Sequence, residues 1–282
     1  MEQTILLPMG RAAVYLLEAF VLLVIAKWAY TGLYRRVDLK QELFDKNNVA
    51  LAVSTAGYLF GIVLALGGVL SGPSGGWLAD LQAIALYGVM TIAMMLVASW
   101  LCEKVLLSRF NNTKEVVEDQ NLGTAFVEAG VHIANGLILL AIQQGAGPWW
   151  VGVVFWALAQ GVLMILGLLY EKATPHSIHD ELEKDNAAVG LALAGALVGM
   201  GNIISLAVAG DFVTWGDSLI TFGADVAFGL LILLIIKRLT DVLLAPGVSL
   251  AAQQIHEKPR IGAGLLEAFG YVGGSMLVIW VF

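Results

Sequence analysis

The chain has 282 residues, of which 59% are apolar and only 13% charged, and its mean hydropathy is +0.83. Soluble domains carry about 25% charged residues, so this balance excludes an ordinary water-soluble globule and makes the bilayer the solvent. The net charge of −7 marks no partner, because the acids are spread over both faces, and no basic stripe with interleaved aromatics supports a nucleic-acid role.

Eight stretches are long and apolar enough to cross about 30 Å of hydrocarbon, at 12–34, 48–70, 79–101, 122–142, 149–170, 187–209, 216–237 and 261–282. The first carries Glu18 toward its outer side and Lys27 near its other end, where the lysine can snorkel. Arg35, Arg36, Lys40 and Lys46 follow it. The second opens after Asp45-Lys46-Asn47-Asn48 and holds Gly57-x-x-x-Gly61, and GPSGG at 72–76 is a turn. Lys104, Arg109 and Lys114 follow the third span. The fourth contains Glu128, His132 and Asn135, and GAG at 145–147 turns the chain into the fifth. Lys172 and Lys184 precede the sixth, which opens after Lys184-Asp185-Asn186 and holds Gly195-x-x-x-Gly199. Asp225 falls near the middle of the seventh. Lys237, Arg238, Lys258 and Arg260 come next, and the eighth span carries Glu267 and Gly270-x-x-x-Gly274.

Lys and Arg thus gather in alternate connections and are missing from those near 71–78, 143–148 and 210–215. By the positive-inside rule the basic loops are cytoplasmic and both termini periplasmic. Trp77, Trp149, Trp150, Trp215 and Trp280 cluster at the outer interface, as amphipathic rings do. No cleavable leader is expected, since the first apolar run has little charge before it and no small-residue cleavage site.

The chain is also written twice. Residues 45–61 return about 138 positions later as 183–199, placing Lys46, Asn48, Gly57 and Gly61 on Lys184, Asn186, Gly195 and Gly199. A second echo, NLGTAFVEAG at 121–130 and RIGAGLLEAF at 260–269, places Glu128 on Glu267. The expected fold is all-α: a polytopic membrane bundle of eight transmembrane helices in two parallel four-helix repeats, 1–145 and 146–282. Each half is two helix pairs. Asn48, Asn121 and Asn186 start three of the even-numbered helices, and Arg260 replaces Asn in the fourth.

Asp45, Asn48, Asp185 and Asn186 are natural N-caps for helices entering lipid. The livelier alternative is a cytoplasmic platform of helix N-termini for an anion or lipid headgroup. The glycine pairs serve close helix packing, within the chain or between copies in a homo-oligomer.

Ionisable groups inside the membrane are costly, which singles out Glu128, Glu267, Asp225 and Glu18. Glu128 lies about seven residues, or roughly 10 Å, beyond its helix start, and His132 and Asn135 continue its stripe. Three readings fit. The carboxylates line a hydrated path for cations or protons; they are interhelical glue; or Glu128, His132, Glu267 and Asp225 hold a metal, for which the i,i+4 spacing departs from the i,i+3 of bundle metal motifs. His176 and His179 with their acidic neighbours read as a solvated loop, and His256 as plain loop. The single Cys102 permits no internal disulfide. No HExxH or nucleotide fingerprint occurs, so neither an enzyme nor a cofactor is expected.

Lys184-Asp185-Asn186-Ala187-Ala188 with Ala194-Gly195 and Gly199, and the weaker Lys46-Asn47-Asn48 with Ala56-Gly57 and Gly61, resemble the YjfL-like family of bacterial inner-membrane proteins. That family is built from the four-helix domain of unknown function 350. Two tandem copies would cover almost the whole chain. The resemblance implies a bacterial inner membrane, no assigned catalytic residues, and a genomic setting near phage-shock-protein-A-like membrane-remodelling proteins and polyamine or glutathionylspermidine-type ligases. The leading functional expectation is a channel or transporter for cations, protons or polyamines, using Glu128 and Glu267 as paired sites with Asp225 in support. The alternative is a scaffold recruiting a peripheral remodelling protein through its cytoplasmic loops.

Overall fold

The computed structural model describes residues 2–32, 37–72, 74–109 and 111–282, with the backbone alone for 2–8. Arg35 and Arg36 of the first basic loop, and Pro73 of the GPSGG turn, lie outside the described residues. The helices are α1 (Glu2–Thr31), α2 (Val49–Ser71), α3 (Trp77–Leu101), α4 (Leu122–Gln144), α5 (Trp149–Ala173), the short α6 (Ile178–Leu182), α7 (Ala187–Val208), α8 (Trp215–Leu244), the short α9 (Leu250–Gln254) and α10 (Ile261–Val281). No strand occurs among the described residues. Eight helices have membrane-spanning length and hydropathy. The chain is an all-α membrane bundle, and α8 runs a further two turns past the span read from sequence, so that Lys237 stands inside the helix and not at its end.

Glycine decides which helices touch. A β-carbon added at Gly57 of α2 would collide with Ala129 of α4; one at Gly130 of α4, with Ala194 of α7; one at Gly195 of α7, with Ala268 of α10. Lower in the same contacts, Gly61 abuts the carbonyl of His132 and Gly199 that of Tyr271. Counted from their starts, these are equivalent positions, so one contact is used three times. The result is a row α2–α4–α7–α10 of helices running the same way. In lipid no hydrophobic effect drives helices together, so such close backbone approach supplies the packing energy. Helices α1, α3, α5 and α8 form a second layer, with α3, α5 and α8 each contacting two successive members of the row. The other small pair, Gly270 and Gly274, faces Thr240 and Ile236 of α8. These faces are therefore consumed inside one chain, which overturns them as the surface of a homo-oligomer.

The loops at one end lock the row. Asn47, Gln120 and Asp185 take left-handed backbone angles (φ 53°, 53° and 56°), turning the chain so that the next residue can cap. Asn48, Asn121 and Asn186 then accept from the N–H groups of Leu51, Thr124 and Val189. Their side-chain amides reach to the following loop: Asn48 donates to the carbonyls of Val116 and Val117, Asn121 to Leu182, Asn186 to Gln254. The capping reading holds for Asn48 and Asn186 but not for Asp45 and Asp185, which precede the cap positions; each asparagine cap also ties its helix to the next. Arg260 stands at the start of α10 and makes no side-chain cap.

Asn121→Ala removes a buried cap and two amide donations, to Leu182 at 2.6 Å and to Glu115 at 2.8 Å. The expected loss is about 2–3 kcal/mol, seen as a lowered Tm in detergent. Arg260→Ala, at an exposed start without a side-chain cap, is expected to leave the Tm within about 1 °C, in line with a surface change of under ~0.5 kcal/mol.

Candidate functional site

Glu128 is buried on the face of α4 that meets α2, near the capped end. It accepts from the Ser54 hydroxyl of α2 and from the Asn112 amide at 3.0 Å. Tyr30 of α1 lies 2.7 Å from Ser54 and 3.4 Å from Nε2 of His132. A hydroxyl has one proton, so with Ser54 donating to Glu128, Tyr30 donates to Ser54 and the Nε2–H of His132 points to Tyr30. The order His132, Tyr30, Ser54, Glu128 is a continuous chain of proton-bearing groups. Tyr30 and Tyr58 stack with centroids 4.1 Å apart, and the His132 ring stands perpendicular to both. A cavity of about 80 Å³ opens here, lined by Tyr30, Ser99, Cys102, Asn112, Glu128 and His132 among others; it has room for a few waters.

Glu267 occupies the equivalent place on α10 but has different company. Lys237 of α8 approaches it at 3.3 Å and Asp241 at 2.5 Å. Glu267 accepts from the Tyr170 hydroxyl of α5 at 3.1 Å and from the Gln254 amide at 2.5 Å. The Lys237 ammonium lies 5.5 Å from the centroid of Tyr271, whose ring meets Tyr170 edge to face. Here the carboxylate is one half of a buried ion pair.

The two carboxylates thus belong to separate clusters on helices between which α7 stands, and no described hydrogen bond or ion pair links them. That corrects the expectation of one paired site. Asp225 is half-buried at mid-α8 and makes no described hydrogen bond or ion pair with either. Glu18 of α1 lies one turn from Tyr15, which donates to Asp80 at 2.8 Å, in a third polar group. A single metal bound by Glu128, His132, Glu267 and Asp225 has no geometric basis.

Asn135 continues the stripe, fully buried. It accepts from Trp156 at 2.8 Å and Gln160 at 2.7 Å, both of α5, and lies 3.1 Å from the sulfur of Met95 of α3. Two turns further, Gln143 donates to Thr91 of α3 at 2.7 Å. Beyond it a cavity of about 280 Å³ opens at the other end of the bundle, lined by Leu139, Gln143, Phe155, Asp211 and Asp217 among others, with no Lys or Arg in its wall. One face of α4 therefore runs from the cavity at the capped end to the one at the other end, stopped in the middle by the Asn135 cluster.

The loop motif is self-satisfied. Lys46 pairs with Glu42 at 2.6 Å, Lys184 with Glu181 at 2.8 Å, and Asp185 accepts from the Leu122 N–H at 2.8 Å, while Asp45 is exposed. Burial pushes the Glu181 carboxyl up, but hydrogen bonds from Lys184 and Asn186 outweigh it and hold the group below its ordinary range. These carboxylates beside the helix starts supply the negative charge that an anion platform would have to bring. His179, expected in a solvated loop, is buried with Nδ1 2.5 Å from Glu171 of α5, and its short helix α6 packs against α7.

Sequence reasoning missed Tyr30, Ser54, Asn112, Tyr170, Lys237 and Gln254. A signal existed for two of them: Tyr30 and Tyr170 repeat at nearly the offset that relates Glu128 to Glu267.

The model of the family described as "Domain of Unknown Function (DUF350)" matches the chain twice, at residues 3–142 and 146–282. A "UPF0719 transmembrane protein" of Aquifex aeolicus (strain VF5) is 20% identical over 202 residues, which is 70% of this chain and 73% of that protein. No solved structure matches the chain.

Proposed function

Because the chain belongs to the DUF350 family, in two tandem copies, we propose that its membrane bundle passes protons or small cations along α4. The observation that carries the reading is the α4 face itself, where Glu128, His132, Asn135 and Gln143 follow one another between two cavities. A membrane helix buries such groups at a cost, and the cost is rational when they serve passage. Asp211 and Asp217 at the outer cavity, in a wall free of Lys and Arg, attract cations and repel anions. The chain His132–Tyr30–Ser54–Glu128 moves a proton without moving a heavy atom far. The Asn135 cluster then acts as the plug, and the state described is the closed one. Glu267, held by Lys237, serves as the structural counterpart in the second copy.

In this reading the membrane is a bacterial inner membrane, the capped and basic end is cytoplasmic, and both termini are periplasmic. The scaffold alternative draws less support, since most of the loop residues it would offer a partner are spent within the loops.

The test is proton or potassium flux into proteoliposomes. Wild-type protein is expected to leak above empty vesicles, Glu128→Gln to lose at least tenfold of that flux, and Asn135→Ala to raise it. Flux equal to empty vesicles for the wild type and Asn135→Ala alike would overturn the reading, as would an unaffected Glu128→Gln.

A further inference from the structure

We propose that Phe269 and Arg260 terminate a helix row that would otherwise continue into a second copy of the chain. The inference is independent of what the bundle passes, because it rests on the packing alone.

Each step of the row is heterologous: the glycine side of one helix receives the alanine side of the next. Steps of this kind propagate until something closes or blocks them. Among the described residues the row α2–α4–α7–α10 makes three such steps. At its first end α2 still presents the alanine side, with Ala52 and Ala56 exposed. These correspond to Ala125 and Ala129 of α4, to Gly190 and Ala194 of α7, and to Gly264 and Ala268 of α10. At its last end α10 should present the glycine side. Gly262 is open, with nothing within 4 Å of an added β-carbon, and Gly273 stands where Gly61 and Gly199 stand in earlier steps. The place of Gly57, Gly130 and Gly195, however, is taken by Phe269. Its side chain is 58% exposed, and its ring would lie 3.4 Å from a β-carbon added at Gly273. One aromatic ring thus fills the groove into which an alanine face would settle.

The loop tie ends at the same place. Three asparagines reach forward from a cap to the next loop, and Arg260 has replaced the fourth. In one bilayer all copies insert with the same orientation, so the α2 of a neighbour arrives parallel to α10, as the row demands. Its loop would also bring the backbone carbonyls of residues 43 and 44 to the position that Val116 and Val117 occupy for Asn48. Steric block and missing tie together act against one outcome, the open-ended lateral growth of this protein into strings.

Two preparations test it. Phe269→Gly with Arg260→Asn, restoring the residues of the other steps, is expected to turn the wild-type mass distribution into a concentration-dependent ladder in nanodiscs or mild detergent. Adding Ala56→Leu, which bulks the exposed alanine face of α2, is expected to return it to wild type. A double variant with a cooperative thermal transition and an unchanged mass distribution would overturn the proposal, as would a ladder that survives Ala56→Leu. Should the double variant fail to fold, thiol cross-linking decides. Phe269→Cys in one copy and Ala56→Cys in another, co-reconstituted, should link 269 to 56, with Cys102 buried and out of reach. Linkage no greater than for two Phe269→Cys copies would count against it.

Discussion

Gly130→Leu is expected to prevent assembly of the bundle, giving little or no monodisperse protein after extraction where the wild type gives a single species. The β-carbon alone would meet main-chain atoms of Ala194, its Cα at 2.7 Å and its carbonyl oxygen at 2.9 Å. Backbone cannot rotate out of the way as a flexible side chain can, so α4 and α7 must move apart. Overpacking a tight core costs about 1–3 kcal/mol where neighbours can yield, and here they cannot. The interface lost is also the one that joins the two copies, and the Asn121 tie to Leu182 lies at its end. Gly161→Leu and Gly216→Leu supply the contrast, because an added β-carbon there meets nothing within 4 Å. Both are expected to purify like the wild type. Equal yields for Gly130→Leu and Gly161→Leu would mean that the row is not what holds the bundle.

That contrast also shows how far the sequence reaches. Spans, caps and the repeat are local properties: hydropathy runs of helical length, an Asn at a helix start, and two segments that look alike. They were legible, down to the missing fourth Asn. The order of helices in the row was not, because an apolar helix carries glycines on several faces and nothing local says which face meets which neighbour. Gly57-x-x-x-Gly61 was visible as a packing pair, but Gly130, Gly190 and Gly264, whose neighbours sit just as close, form no such spaced pair and passed unnoticed. The site was half legible for a similar reason. Carboxylates in lipid announce themselves by their cost, whereas Tyr30 and Tyr170 look like interface aromatics and Ser54 like a neutral small residue. Lys237 was hidden by counting: a lysine near a span end belongs to a basic loop by default, and only the longer α8 turns it inward.

Lys237→Met is the second large effect expected. The substitution keeps the volume and removes the charge that sits between two acids, leaving Glu267 and Asp241 buried near each other with side chains 9% and 20% exposed. Removing one member of a buried ion pair costs about 3–5 kcal/mol, so a fall in Tm of many degrees is expected, with loss of the Lys237–Tyr271 contact adding to it. Glu267→Gln is milder by the same logic, roughly 1 kcal/mol, because Tyr170 and Gln254 keep an acceptor and Lys237 keeps Asp241. The double variant Lys237→Met/Glu267→Gln is expected to be more stable than Lys237→Met alone, since the second change removes the charge that the first stranded. Such a rescue has the sign of a coupled pair; strictly additive losses would show that Lys237 and Glu267 do not interact. The same variants separate the two carboxylates by role. If Glu267 is a structural anchor and Glu128 lies on the path, Glu267→Gln loses stability and keeps flux, while Glu128→Gln loses flux. A Glu267→Gln protein that is fully stable but silent in proteoliposomes would reverse the assignment and move the path to the second copy.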